Sequence, residues 1–291
     1  MTRRHPLLDR ILREEREFIH GLGGYSFGIA GGTLVVNERV PVPRFNFVTD
    51  VAVSRHRMTG FFETVLDHYF QRALRPEFLL PEPPPGHLVE VLGRLGFLPR
   101  TENRSVLLCD RTVPAAPVPP THSVRRAAPE EIGTIVDFLV SARERAELAR
   151  GLEVLWAHPN PEEEMIPVLA WDADRPVAAA LLHRFRGIWG VHSVATQPES
   201  RGRGAASRLI YGSLHEILPE GPEPVAAWAD HPRVRGRLER LGFHEVGRFR
   251  VFVLDPQAEL AVARGPTGPV VPRWRPPRTP SSTTAASRAS P

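Results

Sequence analysis

The residues best suited to chemistry lie in one segment, residues 188–210, which reads IWGVHSVATQPESRGRGAASRLI. Residues 188–195 are almost all apolar, which is typical of a strand buried on both faces. Gln197 and Pro198 break that strand. A run of glycine and alanine between arginines follows, and the apolar spacing of Leu209, Ile210 and Leu214 then predicts a helix.

A loop of small residues that opens a helix exposes backbone N–H groups at the positive end of the helix dipole. Side chains larger than alanine would keep phosphate groups away from those donors. The segment therefore predicts a diphosphate-binding site built mainly from backbone. It lacks the P-loop pattern, and Ser207 stands where the third glycine of the dinucleotide-binding fingerprint would be.

The loop Arg201-Gly202-Arg203-Gly204-Ala205-Ala206 resembles the signature Arg/Gln-x-x-Gly-x-Gly/Ala of the GCN5-related N-acetyltransferases, the GNAT superfamily. The resemblance implies an α/β fold with a mixed sheet, the acyl-CoA N-acyltransferase fold, with acetyl-CoA or another acyl-CoA as cosubstrate and no metal. It implies that backbone near the end of the preceding strand meets the pantetheine arm and polarises the thioester carbonyl. The implied cofactor-binding residues are Val194, Ala195, Thr196, Arg201, Gly202, Arg203, Gly204, Ala205 and Ala206.

The resemblance also indicates catalytic candidates. His192 stands where arylalkylamine acetyltransferases carry a catalytic histidine, and an imidazole suits proton abstraction at neutral pH. A half-buried histidine bonded to backbone is the alternative. Asp230 and His231, after the next predicted strand, are second candidates, and either could instead cap the helix that begins near Pro232. Leu238 occupies the position where many family members carry the tyrosine that acts as general acid, so the acid is unassigned.

These residues need a strand–helix–strand–helix–strand framework to position them. Residues 225–229 predict the second strand, 234–241 a helix ended by Gly242, and 248–254 the last strand. Before it, 166–171 and 176–185 predict a hairpin, and 144–156 predict a helix. The resemblance covers about residues 123–254.

The N-terminal half echoes this framework. Leu-Gly-Arg-Leu-Gly-Phe at 92–97 resembles Leu-Glu-Arg-Leu-Gly-Phe at 238–243, and each is followed by a strand. The predicted strand 45–53 and helix 58–74 correspond to the strand predicted at 188–195 and to the helix that follows the glycine loop. Between them, however, residues 54–60 include bulky side chains in place of the glycines. This predicts two GNAT-like units in tandem, the first degenerate, which completes the fold or walls the substrate cleft. Two unrelated units that share a helix stop are the alternative.

The predicted organisation has four parts. Residues 1–111 form the degenerate domain, 112–121 a Pro-rich linker, 122–256 the acetyltransferase domain, and 257–291 a disordered tail rich in Pro, Ser, Thr and Arg. The first domain is expected to open with an amphipathic helix whose run Arg13-Glu14-Glu15-Arg16-Glu17 is typical of a solvated face, and 21–32 predict a turn-rich hairpin.

The composition limits the partners and the cellular location that can be expected for this protein. A net charge of +4 with no concentrated basic face predicts no nucleic-acid partner. No apolar run approaches the roughly 20 residues of a membrane span, so no membrane partner is expected. A single cysteine, Cys109, and a charged N-terminus without an apolar core favour a cytoplasmic protein.

Three functions are compatible with these features. The first is transfer of an acyl group from acyl-CoA to a primary amine of a small molecule or protein. The second, motivated by Leu238, is an acyl-CoA sensor without turnover. The third is aminoacyl transfer from charged tRNA, which the tandem arrangement suggests and the intact loop disfavours.

Overall fold

A single mixed β-sheet runs through both halves of the described chain. The computed structural model describes residues 5–111, 121–140 and 164–255. The strands in these ranges are β1 Tyr25–Ile29, β2 Gly32–Val36, β3 Phe47–Thr49, β4 Glu77–Pro81, β5 Phe97–Pro99, β6 Arg104–Cys109, β7 Ser123–Arg126, β8 Glu164–Asp172, β9 Arg175–Phe185, β10 Ile188–Thr196, β11 Val225–Ala229 and β12 Phe243–Leu254. The helices are α1 Leu8–Gly21, α2 Met58–Phe70, α3 Gly86–Arg94, α4 Ile132–Val140, α5 Ala205–Gly212 and α6 Pro232–Arg240.

The strand order shows that the two halves exchange their last strands. The order is β1-β2-β3-β4-β12-β6-β11-β10-β9-β8-β7, with β5 also beside β12. Strand β6 pairs antiparallel with β11, and β12 pairs antiparallel with β4. The two exchanged strands also pair with each other. Each half therefore contributes a strand to the other half's part of the sheet.

The predicted internal correspondence is visible in this topology. Each half runs strand, helix, parallel strand, helix and long strand: β3-α2-β4-α3-β5/β6 and β10-α5-β11-α6-β12. The second helix of each half, α3 or α6, is followed by a glycine in the left-handed region, Gly96 at φ 83° and Gly242 at φ 90°. Glycine at this position ends a helix without a steric penalty, so one local device reverses the chain in both halves.

Helices cover both faces around β9 and β10. On one face α1 and α4 bury Ile11, Phe18 and Ile135 in a core shared with Leu181 of β9. On the other face α5 buries Leu209 in a second core. Helices α2 and α3 pack in a third core against β3 and β4. Because successive strand residues point to opposite faces, β9 and β10 are buried on both sides, as their near-continuous apolar sequences predict.

The structure corrects three local predictions. The strand expected over 45–53 is confined to β3, because a 3-10 turn, Pro43–Phe45, precedes it. The helix expected over 58–74 ends at Phe70. The face of α1 predicted to be solvated is partly wrong: Glu14 is 1% exposed and Glu15 is 4% exposed. Both carboxylates lie beneath the helix and contact β10 rather than water.

Other predictions fall outside the described residues. The helix at 144–156 lies there, as do most of the Pro-rich linker and the tail. The four-part domain division therefore stays a prediction. Among the described residues, no helix is long and apolar enough to cross a membrane.

Candidate active site

The loop that precedes α5 forms an open cradle. Gly202 has φ 81° and Gly204 has φ 87°, in the left-handed region that favours glycine. A Cβ atom built on either glycine would meet nothing within 4 Å. Ala205, the first residue of α5, is buried against the second core. The glycines thus leave open space beside the helix start while the alanine anchors it.

The cradle also offers unsatisfied donors. The first backbone hydrogen bond into α5 runs from the N–H of Arg208 to the carbonyl of Gly204 at 2.9 Å. Within the described part of the chain, the N–H groups of Gly204, Ala205 and Ala206 have no backbone acceptor. Because these groups lie at the positive end of the helix dipole, the cradle suits an anion such as a diphosphate.

A cavity of about 350 Å³ lies over the cradle. It is lined by Val194, Ala195, Thr196, Ser200, Arg201, Gly202, Gly204, Ala205, Ala206 and Arg237. The structure therefore brings together eight of the nine residues predicted to bind the coenzyme, and Arg203 lies exposed in the same loop. Arg237, from α6, adds a second guanidinium to the cavity beside that of Arg201 from the loop. The Arg201 side chain also donates from Nε to the carbonyl of Thr196 at 3.3 Å, which ties the loop to the strand end.

Strand β10 opens away from its neighbour just before the cradle. Its parallel pairing with β11 ends at Val191, opposite Ala227. Its register with β9 shifts between His192 and Ala195, and Ser193 adopts φ 53°. Val194 is exposed at this bulge. Because the pairing with β11 stops at Val191, the backbone after it is free on the β11 side of the strand. Such a gap can accept an extended chain that hydrogen-bonds to the strand edge.

His192 lies just before the bulge, on the face covered by α1. Its side chain is 2% exposed, and its ring stacks on Phe18 with centroids 3.8 Å apart. Its Nε2 atom lies 2.8 Å from Oε1 of Glu14. The same Oε1 atom lies 2.8 Å from Nδ1 of His183. The partner of His192 is thus a carboxylate from the N-terminal half, and the alternative of a backbone partner does not describe this contact.

Asp230 and His231 follow β11. Oδ1 of Asp230 accepts a hydrogen bond from Nε of Arg104 at 2.7 Å, and Arg104 also reaches the buried Glu77 at 3.1 Å. Burial raises the pKa of Asp230, but the Arg104 guanidinium outweighs it, and the pKa lies below its usual value. An ionised, arginine-bound carboxylate is a weak proton acceptor at neutral pH.

His231 is the N-cap of α6. Its Nδ1 atom accepts a hydrogen bond from the N–H of Arg233 at 3.1 Å, so the capping alternative raised by the sequence is present. The side chain also lines a second cavity of about 190 Å³ that contains Arg235 and Arg248. The catalytic assignments of His192, Asp230 and His231 stay predictions.

Leu238 is 3% exposed and packs in the second core with Leu209. The position at which many GNAT members carry a tyrosine is therefore used here for packing. No tyrosine is among the described residues that line the cavity over the cradle.

Sequence reasoning missed the contributions of the N-terminal half and of α6. Glu14 lies in a run of alternating charges that resembles a solvated helix face, and Arg104 lies 126 residues from its partner Asp230. Arg237 could have been predicted, because a diphosphate carries two charges and the loop alone supplies few cations to balance them.

The splayed parallel strands, the bulge and the glycine cradle at a helix start define the acyl-CoA N-acyltransferase fold. Residues 134–243 match the family model described as Acetyltransferase (GNAT) family. No curated protein sequence matches the chain.

Solved structures show the same fold over most of the chain. A GCN5-related N-acetyltransferase from Kribbella flavida aligns with TM-score 0.60 at 16% identity, over 86% of this chain and 96% of that one. A GCN5-related N-acetyltransferase from Sphaerobacter thermophilus aligns with TM-score 0.57 at 18% identity, over 79% and 78%. A tandem GNAT protein from the clavulanic acid biosynthesis pathway aligns with TM-score 0.52 at 12% identity, over 78% and 80%. The similarity to a tandem protein agrees with the two-unit arrangement.

Proposed function

We propose that this protein transfers an acyl group, in the first instance acetyl, from acyl-CoA to a primary amine of a small molecule or protein. The observation that carries the proposal is the cradle of Gly202 and Gly204, with its unpaired N–H groups and open cavity. The match of residues 134–243 to the GNAT family model supports acyl transfer in general. The acetyl group and the amine acceptor are our extension of it.

The residues present fit acyl-CoA. The N–H groups at the start of α5 would hold the diphosphate, with Arg201 and Arg237 in the cavity lining supplying positive charge. Backbone of Val194–Thr196, unpaired on the β11 side, would bind the pantetheine arm and donate to the thioester carbonyl. Bound there, the coenzyme supplies an activated acyl carbon and a thiolate leaving group.

Among the three predicted catalytic residues, we propose His192 as the general base. It lies at the bulge, two residues before Val194, and therefore nearest to the expected position of the thioester. Asp230 is better placed to hold Arg104, and His231 to cap α6. We assign these two to positioning the strand and helix around the site.

Substitution of Gly204 tests the coenzyme site. Gly204→Glu places a carboxylate in open space among the free N–H groups, where it should take the place of a phosphate and abolish binding of acetyl-CoA in calorimetry. Gly204→Ala is the matched control: it carries the same left-handed backbone cost of about 1–2 kcal/mol without the charge, and should still bind. Equal binding of acetyl-CoA by the two variants would refute the coenzyme site. In a separate assay, the wild-type protein should release free thiol from acetyl-CoA with at least one amine.

A second candidate function is an acyl-CoA sensor without turnover. It is favoured by the buried Leu238 at the position of the usual acid and by the low exposure of His192. Tight binding of acetyl-CoA, with no thiol release across a broad amine panel and unchanged binding by His192→Ala, would support the sensor over the enzyme.

A further inference from the structure

A buried group of three side chains joins the two halves of the molecule beneath the bulge. Glu14 from α1 lies between His183 of β9 and His192 of β10, and all three are at most 2% exposed. The group sits over Gly190, where a Cβ would collide with both Glu14 and His192. Space for this arrangement therefore depends on the absence of a side chain at Gly190 of β10.

The distances in this group indicate hydrogen bonds. Both histidine nitrogens lie 2.8 Å from the same carboxylate oxygen of Glu14, which is the usual hydrogen-bond length. The three residues could also be read as ligands of a metal ion. Tetrahedral ligands about 2.0–2.1 Å from a zinc ion would lie roughly 3.3 Å apart, so the observed spacing is too short without movement.

The charge of Glu14 determines which atoms donate in these two hydrogen bonds. Burial raises the pKa of Glu14, but His192 and His183 outweigh it and bring the pKa to about 2, so the carboxylate is ionised. An ionised carboxylate only accepts hydrogen bonds, so each histidine must donate to it. In the neutral form of His192, the proton is therefore on Nε2 and the Nδ1 atom has the free electron pair.

We propose that Glu14 is a positioning residue, supplied by the N-terminal half, that holds His192 as the Nε2–H tautomer and makes Nδ1 the atom that accepts the proton of the incoming amine. The inference rests on the proposed acyltransferase function and adds to it the atom that reacts and the residue that orients it. In this proposal the degenerate N-terminal half contributes a side chain that orients the general base.

The surroundings of Nδ1 suit an amine. Oε2 of Glu15 lies 3.5 Å from Nδ1 and has no hydrogen-bond partner among the described residues. An amine that reached these two atoms could donate one N–H to each. In the step, an N–H bond of the incoming ammonium breaks, an Nδ1–H bond forms, and the electron pair stays on the now neutral amine nitrogen. That nitrogen attacks the acyl carbon, the C–S bond of the thioester breaks and coenzyme A leaves as the thiolate, while Glu14 stabilises the imidazolium.

The charged groups around this step are all from packed neighbours. Glu14 and Glu15 face the imidazole from α1, and His183 faces Glu14 from β9. Burial raises the pKa of Glu15 and the charge of Glu14 adds to the rise, while His192, Arg44 and Arg104 oppose it.

The tautomer can be measured directly by NMR on protein labelled with ¹⁵N in histidine, with His192→Gln used to assign the signals. We expect His192 in the wild type to show a protonated Nε2 and a bare Nδ1 at neutral pH. A protonated Nδ1 would overturn the proposal. This measurement needs no substrate, so it decides the proposal even if no amine is acylated.

The variant Glu14→Met removes both accepting oxygens at similar volume. We expect the single tautomer of His192 to be lost and thiol release from acetyl-CoA to fall by about 10²-fold, with coenzyme binding retained. Glu17→Met is the matched control, because Glu17 also pairs with a histidine, His20, on the same helix, in a pair that is partly exposed. The His192 tautomer signal and the turnover of this variant should match the wild type.

Two results would contradict the assignment. One is an unchanged His192 tautomer in folded Glu14→Met. The other is stoichiometric zinc in the wild type that disappears in Glu14→Met, because a metal would occupy the free electron pairs. Failure of the wild type to bind acetyl-CoA would instead refute the proposed function, and leaves the tautomer result standing.

Discussion

Gly190→Ala is the substitution whose effect the structure defines most sharply. A Cβ at this position would meet the Glu14 carboxylate carbon at 2.6 Å and would lie closer still to Oε1 of Glu14 and Nε2 of His192. Real Cβ atoms do not approach other atoms so closely, and neither neighbour can swing into solvent. The carboxylate must therefore leave at least one histidine.

The expected cost has two parts. Overpacking of a buried site costs about 1–3 kcal/mol, and loss of a hydrogen bond to a buried charged group costs about 1.5–3 kcal/mol. We expect the free energy of unfolding to fall by about 3–5 kcal/mol. For a protein of this size, that corresponds to a decrease of roughly 6–20 °C in Tm.

Urea unfolding followed by tryptophan fluorescence, with a thermal melt alongside, gives both quantities. Gly93→Ala in α3 is the control, because its Cβ would meet nothing within 4 Å and alanine in a helix should stabilise the protein by about 0.5–1 kcal/mol. If Gly190→Ala is as stable as the wild type, Glu14 does not lie against this strand, and the reasoning about His192 fails with it.

Two further predictions concern charge. Arg237→Ala should weaken acetyl-CoA binding by about 10-fold in calorimetry, because it removes a cation from the cavity over the cradle, and this loss of affinity should be smaller at high salt. Arg240→Ala, on the same helix, should bind like the wild type. Equal loss of affinity in the two variants would refute a specific role for Arg237. Because the pKa of Glu14 is lowered to about 2 in the folded state, its stabilising contribution is complete above its ordinary value near 4.5 and is lost as the pH falls from about 4.5 toward 2. The raised pKa of Glu15 acts in the opposite direction. Unfolding free energies measured at pH 5 and pH 3 should therefore fall more in the wild type than in Glu14→Gln, and equal slopes would contradict the pairing.

Features encoded by neighbouring residues could be predicted from the sequence. The cradle follows from glycines at fixed positions before a helical pattern, and Gly96 and Gly242 end their helices by the same local rule. The hairpin of β8 and β9 follows from its two apolar runs and the turn between them, where Ala173 adopts φ 49°.

Features that depend on distant pairing could not. The exchange of β6 and β12 leaves no trace in periodicity, because either strand would look the same beside another partner. The charge run in α1 has the composition of a solvated face. Only the histidines of β9 and β10, far along the chain, make burial of Glu14 favourable. A buried carboxylate with such partners is invisible to a rule based on local composition.

The exchanged strands have a consequence for synthesis of the chain. Strand β4 is made early, but its neighbour β12 is the last strand of the described chain to leave the ribosome. Until then the nascent first half presents an unpaired strand edge, a template for mispairing with other chains. Cotranslational folding cannot finish this half on its own, and such long-range pairing slows folding. Expression of residues 1–111 alone should accordingly yield aggregates, and supplying the rest of the chain in trans should return them to solution.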